Sequence, residues 1–201
     1  MEKLQSLAGR NMAETFSTML PLGTKVPSFR LPDPYGKWVS TDDFKEARAL
    51  PTSGKEGAKI IILGTNLTGA TKVRFNGTVA NFTVVSSSEI KTTVPVDAKT
   101  GKVQVTTPTG TLRSNVVFRV TPQITSFTPA SGVVGTSVTV TGTELTQTSE
   151  VTFGGVKATS FTVNSDSEVT AYVPTAAKTG KIAITTPGGT AVSSGTFRVT
   201  P

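Results

Sequence analysis

The sequence predicts an all-β protein in which two tandem antiparallel β-sandwiches follow a short N-terminal extension. Three observations support this fold class. First, 37 Thr, 24 Val and 7 Ile make up a third of the 201 residues, and β-branched side chains favour strands. Second, the chain beyond residue 50 contains two copies of one unit. Third, each copy shows short alternating segments separated by turn residues, and neither contains a segment with helical periodicity.

Composition excludes several classes of function. The chain has no Cys and no His, so it cannot provide a thiol nucleophile, a disulfide, a Ser-His-Asp triad or a zinc site of nitrogen and sulfur ligands. No apolar run approaches the length of about 18 residues that a transmembrane helix needs. Residues 1–20 also lack the apolar core of a secretory signal, and we expect none there.

The composition changes near residue 50. Residues 1–50 contain all three Met and Trp38 but only six Thr, Val or Ile. We therefore divide the chain into a head (residues 1–50), repeat 1 (residues 51–122) and repeat 2 (residues 123–201).

The two repeats align with one inserted residue, near Lys157. Residues 51–122 match residues 129–201 at 35 of 72 aligned positions, which indicates an internal duplication. The expected strands of repeat 2 are 137–141, 150–153, 159–163, 168–173, 181–185 and 196–199. Turns are expected at Gly154-Gly155, Thr179-Gly180 and Gly188-Gly189. About seven short strands in such a unit are typical of a small antiparallel sandwich.

The order of the shared motifs resembles the IPT/TIG family of immunoglobulin-like domains. Both repeats contain Pro-x-Ser-Gly-x-x-Gly, Gly-Thr-x-Leu, Val-x-Phe-x-Gly, Val-Pro and a later Thr-Thr-Pro-x-Gly. The resemblance implies two immunoglobulin-like sandwiches of the E-set type. It also implies a spacer, adhesion or partner-binding role of the kind found on bacterial surfaces and in plexin-type receptors. That family carries no catalytic residues, so the resemblance supplies none here.

The first repeat departs from this pattern at its start. Repeat 2 opens with a strand anchored by Ile124 and Phe127, whereas residues 44–50 show a helical pattern without alternation. We therefore expect repeat 1 to lack its opening strand, with either an uncovered sheet edge or a piece of the head in its place.

The sequence of the head predicts a hairpin followed by a helix. Strands are expected at 29–31 and 37–39 around the turn Asp33–Gly36, and Ser40 or Thr41 would cap a helix whose first turn holds two Asp. The stretch Gly-x-x-x-Pro-x-Phe-x-Leu-Pro-Asp-x-x-Gly-Lys resembles the beginning of a thioredoxin-like protein of the peroxiredoxin (AhpC/TSA) kind. Without any Cys the chain cannot perform the thiol chemistry of that family.

Positive charge is concentrated in repeat 1, which has nine Lys or Arg against three Asp or Glu, a net +6, whereas residues 123–201 have four of each. A candidate anion-binding patch comprises Lys72, Arg74, Lys91, Lys99, Lys102 and Arg113. We favour the alternative that these are solvated strand residues that discourage edge-to-edge pairing. Nucleic acid is disfavoured as a partner because aromatic stacking residues are missing from that face.

No catalytic, metal-binding or cofactor-binding residue is predicted. The acidic residues Asp97, Glu144, Glu150, Asp166 and Glu168 are too dispersed for an acid–base pair or a calcium site. The phenylalanines at equivalent positions of the two repeats are expected in the cores, namely Phe75, Phe82, Phe118, Phe153, Phe161 and Phe197.

The sequence therefore favours a non-enzymatic structural or interaction module of the bacterial cell-surface type, with a protein or polysaccharide partner. We expect it to be a monomer, or to self-associate weakly through sheet edges. One alternative is an inactive member of the thioredoxin or peroxiredoxin group, assigned from its head. Another is a polyanion-binding protein acting through repeat 1. The expected location is extracellular or at the cell surface, which follows from the family resemblance alone.

Overall fold

The computed structural model describes residues 30–32, 38–40 and 48–201. The chain divides into two compact units at residue 42. Its described residues are almost entirely strand, and the one helical element among them is a 3-10 turn at Leu67–Gly69. The predicted all-β class is confirmed. No helix in this part of the chain has the length and apolar character needed to cross a bilayer.

The head contains the predicted hairpin. β1 (Arg30–Pro32) and β2 (Trp38–Ser40) are antiparallel, with Leu31 opposite Val39. Both strands begin and end one residue later than the sequence predicts. Ser40 is the last residue of β2, and the rest of the predicted helix falls outside the described residues.

The first sandwich contains nine strands in two sheets. They are β3 (Arg48–Leu50), β4 (Ser53–Gly54), β5 (Lys59–Leu63), β6 (Lys72–Phe75), β7 (Thr78–Ala80), β8 (Phe82–Ser86), β9 (Glu89–Thr93), β10 (Gly101–Thr107) and β11 (Gly110–Val120). One sheet has the order β3-β5-β9-β8 and the other β4-β11-β10-β6-β7. All pairs are antiparallel except β4 with β11, which is parallel.

The second sandwich repeats this arrangement. Its strands are β12 (Gln123–Thr128), β13 (Ser131–Gly132), β14 (Ser137–Thr143), β15 (Glu150–Phe153), β16 (Val156–Lys157), β17 (Phe161–Ser165), β18 (Glu168–Tyr172), β19 (Ile182–Thr186), β20 (Gly189–Val192) and β21 (Arg198–Val199). The order β12-β14-β18-β17 matches β3-β5-β9-β8. The sheet β16-β15-β19-β20 and the parallel pair β13-β21 together match the five-stranded sheet.

A pair of perpendicular phenylalanine rings lies at the centre of each sandwich. Phe75 and Phe118 have ring centroids 5.0 Å apart at 80°, and the equivalent rings of Phe153 and Phe197 are 5.2 Å apart at 70°. All four side chains are fully buried. Edge-to-face contacts of this kind add to the free energy gained by removing the rings from water. Both rings of a pair come from the same sheet, so the contact packs the inner face of that sheet in the same way in both repeats.

The sheet edge of repeat 1 is covered, and the helical pattern expected over residues 44–50 is wrong for residues 48–50, which form a strand. Arg48–Leu50 forms β3 and pairs with β5, so that Ala49 lies opposite Ile62 just as Phe127 lies opposite Val140. The strand comes from residues assigned to the head. This is the second of the two predicted arrangements, in which a piece of the head takes the place of the opening strand. Tertiary pairing overrides the helical pattern there because the free edge of β5 accepts an extended segment and buries Ala49.

We predict that Phe118→Ala and Phe197→Ala each lower the free energy of unfolding of their own sandwich by about 3–5 kcal/mol, because each leaves a large cavity beside a buried ring. Urea denaturation followed by a probe in each repeat measures this. Val116→Ala, at a side chain that is 42% exposed, serves as the control and should change the stability little. Equal losses in all three variants would contradict the assignment of these rings to the cores.

Candidate functional site

The six basic residues of the predicted patch lie in three separate places. Four of them lie on strands of the five-stranded sheet, namely Lys72, Arg74, Lys102 and Arg113. Lys91 lies on β9 of the other sheet, beside a groove of about 500 Å³ formed with Ile61 and Phe82. Lys99 lies in the loop between β9 and β10, at the contact with repeat 2. The six therefore do not form one continuous patch.

The four residues on the five-stranded sheet share its outer face. Lys72 and Arg74 alternate along β6 with buried apolar residues, so they point away from the core. Gln104 on β10 is the register partner of Arg74 on one side and of Arg113 on the other. With about 4.8 Å between neighbouring strands, the backbones of the two arginines lie about 10 Å apart.

Sequence reasoning missed one member of this face. Arg119 alternates on β11 with buried Phe118 and Val120, so it also points outward. The five strands then contain five basic residues and no Asp or Glu. The alternation of Arg119 with two apolar residues was the signal in the sequence that could have placed it on the outer face. Among the described residues, the Nε atom of Arg74 is buried without a hydrogen-bond partner.

Lys102 has a structural role in addition to its charge. Its Nζ donates to the carbonyl of Asn115 at 2.6 Å, and the equivalent Lys181 donates to the carbonyl of Ser194. Because both repeats make this bond across the same pair of strands, it serves the fold. Lys72, Arg74, Arg113 and Arg119 remain as the basic groups of the outer face.

The outer face of repeat 2 carries less positive charge, because only Lys181 and Arg198 are basic at the equivalent positions. Arg74 and Arg113 of repeat 1 correspond in register to Thr152 and Val192. Lys72 corresponds to Glu150, whose carboxylate pairs with Lys157 at 2.5 Å. The set of five basic residues without an acidic one thus occurs in repeat 1 alone, and repeat 2 is an internal comparison for it.

A cluster of charged residues joins the two repeats, and we call it the junction. Lys99 Nζ donates to Asp166 Oδ2 at 2.6 Å and lies 3.6 Å from Glu144 Oε1. Glu144 Oε2 accepts a hydrogen bond from the backbone amide of Thr100 at 3.0 Å. The Glu144 side chain is only 8% exposed. These two acidic residues, dispersed in the sequence, therefore meet at one lysine of the other repeat.

Two further features close the junction. Thr121 Oγ1 donates to the carbonyl of Gly188 at 2.9 Å. β11 ends at Val120 and β12 begins at Gln123, so only Thr121 and the buried Pro122 connect the sandwiches. A cavity of about 340 Å³, lined by residues of both repeats, remains between them. The acidic groups of the junction are engaged in ion pairs and hydrogen bonds between the repeats. They therefore join the two domains and do not form a free acid–base pair.

Gly188 is required by the junction and not by its own turn. A Cβ atom at this position would lie 2.2 Å from the carbonyl oxygen of Val120. The equivalent turn of repeat 1 carries Thr109 in an exposed position, so the turn itself tolerates a side chain. The absence of a side chain at residue 188 lets the backbone of repeat 1 approach closely.

Glu144 gives a second indication of the same kind. Its backbone has φ 58°, in the left-handed region, and Asn66 has the same φ at the equivalent position of repeat 1. Asn tolerates this conformation better than Glu. The glutamate at this position is explained by its contacts with Lys99 and Thr100. Differences between the repeats at positions such as 66/144 and 109/188 were the sequence signal for the junction.

The junction shifts the pKa of two of its groups. The hydrogen bond to Asp166 raises the pKa of Lys99 above its ordinary 10.5, against a smaller opposing effect of burial. Partial burial acts to raise the pKa of Asp166, but the hydrogen bonds from Lys99 and Thr146 outweigh it and hold that pKa below 3.8.

We predict that the junction loosens in acid, at pH values below 3.8. A carboxylate with a depressed pKa stabilises the docked state above its unfolded value, and this contribution is lost as the pH falls through the folded pKa. The contribution of Lys99 to the stability of the docked state is fully present below pH 10.5 and is lost as the pH rises through the raised pKa of Lys99. Small-angle scattering across this range measures the effect. Asp166→Asn removes the contribution of the Asp166 carboxylate, so the variant should lose this dependence on pH. A wild-type scattering profile that stays unchanged until the protein unfolds in acid would contradict the prediction.

Several solved structures are similar to this chain. SGBP-B from a complex xyloglucan utilization locus in Bacteroides uniformis is 23% identical, with 77% of this chain and 49% of that chain covered and a TM-score of 0.37. Surface glycan-binding protein PbSGBP-B from Prevotella bryantii is 18% identical, with 76% and 41% covered and a TM-score of 0.43. The plexin A4 extracellular region is 20% identical, with 85% and 20% covered and a TM-score of 0.38. The chain thus spans less than half the length of each.

No curated protein sequence matches the chain. A family model described as the IPT/TIG domain matches residues 48–120 and again residues 122–199. The first match begins at the residue where β3 begins, and the resemblance of the head to peroxiredoxins stays a prediction. Together with the duplicated sandwich and its paired phenylalanines, these matches show that the chain belongs to the IPT/TIG domain family, which it contains in two tandem copies.

Proposed function

We propose that the chain is a structural spacer that holds two immunoglobulin-like domains in one fixed arrangement and presents their faces to a binding partner. The junction is the observation that carries this proposal. Bacterial cell-surface location is part of the same proposal and rests on family membership. The chain has no Cys or His, and the described residues contain no cluster of three or more groups able to hold a metal ion.

The rigidity follows from the connection and from the contacts together. A two-residue connection that includes Pro has few accessible conformations, since proline fixes its own φ. A shift between the domains that kept the carboxylate of Glu144 buried but moved it away from the amide of Thr100 would leave a buried charge without its partner, which is costly. Bending at the junction would therefore break several contacts at once.

We predict that Gly188→Ala abolishes the fixed arrangement while both sandwiches stay folded, because the added Cβ would overlap the carbonyl of Val120. The chain has no native cysteine, so spin labels on Thr83→Cys and Thr162→Cys report the distance between the repeats without background. The wild type should give one narrow distance distribution, and Gly188→Ala a broad one.

Thr109→Ala is the matched control, since it places alanine at the same turn position of repeat 1. It should leave the distribution narrow. A broad distribution in the wild type would overturn the spacer proposal, whatever the variant does.

A second candidate function is the binding of an anionic polysaccharide by the outer face of repeat 1. The supporting observation is the set of five strands with five basic residues and no acidic one. The two phenylalanines of these strands are buried in the core, so the face offers no ring on which a nucleobase could stack. Carboxylate or sulfate groups along a linear polymer need only the guanidinium and ammonium groups.

We predict that the chain binds heparin, used as a sulfated probe, and that the double variant Arg74→Ala with Arg113→Ala loses most of this affinity. Binding should weaken as salt rises, because it releases counterions. Lys157→Ala with Arg198→Ala removes the same charge from repeat 2 and should change little. Equal loss in both double variants would indicate attraction by net charge alone. Preference for single-stranded DNA of equal charge would contradict the polysaccharide assignment.

A further inference from the structure

Repeat 2 retains the half of the junction that repeat 1 contributes. Lys178 and Thr179 correspond to Lys99 and Thr100, and the segment Phe197–Pro201 has the same sequence as Phe118–Pro122. The local geometry is also the same. The Val199 amide donates to Thr179 Oγ1 at 3.0 Å, as the Val120 amide donates to Thr100 Oγ1 at 2.9 Å.

These residues of repeat 2 are uncovered where their counterparts are covered. Thr179 is exposed, whereas Thr100 is half-buried against Glu144. Val199 is half-buried, whereas Val120 is only 3% exposed. We call the surface formed by Lys178, Thr179 and Val199 the terminal surface. It presents an exposed ammonium group, a backbone amide and an apolar side chain, and none of these has a partner domain within the described residues.

We propose that the terminal surface docks another immunoglobulin-like repeat, one with carboxylates at the positions of Glu144 and Asp166 and a glycine at the position of Gly188. Charge complementarity selects this occupant, because the acidic pair of repeat 2 already engages the equivalent lysine of repeat 1. The proposal rests on the proposed spacer function and extends it from two domains to a longer array.

The same reasoning excludes repeat 1 of a second copy as the occupant. Repeat 1 has Asn66, Ser87 and Thr109 at the three positions. It therefore offers Lys178 no carboxylate, and its threonine would meet the carbonyl of Val199. One difference between the two surfaces remains. Asn76, which donates to the carbonyl of Thr100 at 2.9 Å, is replaced by Gly154, but the acidic contacts do not involve it.

The test uses the full chain extended beyond Pro201 by a copy of residues 123–201. Because Phe197–Pro201 and Phe118–Pro122 are identical in sequence, the new connection reproduces the existing one. Spin labels on Thr83→Cys and Thr162→Cys measure the first junction. Labels on Thr162→Cys and its counterpart in the copy measure the second. We expect both pairs to give one narrow distribution with the same mean distance.

Three variants isolate the proposed contacts. Lys178→Ala should broaden only the second distribution, and Lys99→Ala only the first. Giving the copy the residues of repeat 1, through Glu144→Asn, Asp166→Ser and Gly188→Thr in the copy alone, should also broaden only the second.

The outcomes separate this inference from the proposed function. A narrow first distribution with a broad second one in the unsubstituted chain would overturn the terminal surface and leave the spacer intact. Two broad distributions would overturn the spacer. A second distribution that stays narrow in Lys178→Ala and in the substituted copy would show that the connection alone fixes the geometry, which also contradicts the proposal.

Discussion

The burial of one carboxylate controls how the two sandwiches are arranged. Removing a charged group from water costs several kcal/mol unless hydrogen bonds and an opposite charge replace its hydration. Glu144 belongs to repeat 2, but the amide and the ammonium group that compensate it belong to repeat 1. Docking buries this carboxylate, so only an arrangement that brings both groups to it avoids leaving an unpaired buried charge, and this requirement selects the geometry of docking.

The two repeats show how one fold supports different surfaces. Their cores are nearly interchangeable, since the same ring pair and the same strand order occur in both. Their outer faces are not. Arg74 and Arg113 on one face correspond to Thr152 and Val192 on the other. Because alternate strand residues point to opposite sides of a sheet, the outward positions can change without disturbing the packing inside.

Much of the fold could be predicted from the sequence, because duplication and period-two alternation are local signals. Four of the six predicted core phenylalanines are fully buried, and the other two, Phe82 and Phe161, are half-buried against the cores. The head hairpin was predicted from its turn residues. The opening strand of repeat 1 was missed because Ala49 replaces the Phe127 of repeat 2, and alanine carries little strand signal. The junction was missed for another reason. Glu144 and Asp166 meet Lys99 only after both domains fold, and Arg119 joins the basic face only through pairing of distant strands.

The two-residue connection also limits how such a chain can grow. β11 leads through Thr121 and Pro122 into β12, and along extended backbone the side chains reverse direction at every residue. One residue gained or lost there would turn the following sandwich to present its opposite side, and the acidic pair would face solvent. Adding whole copies that end at the same proline keeps the same side of each following sandwich facing the preceding one. The chemistry of the boundary thus favours growth in complete units over gradual change in length.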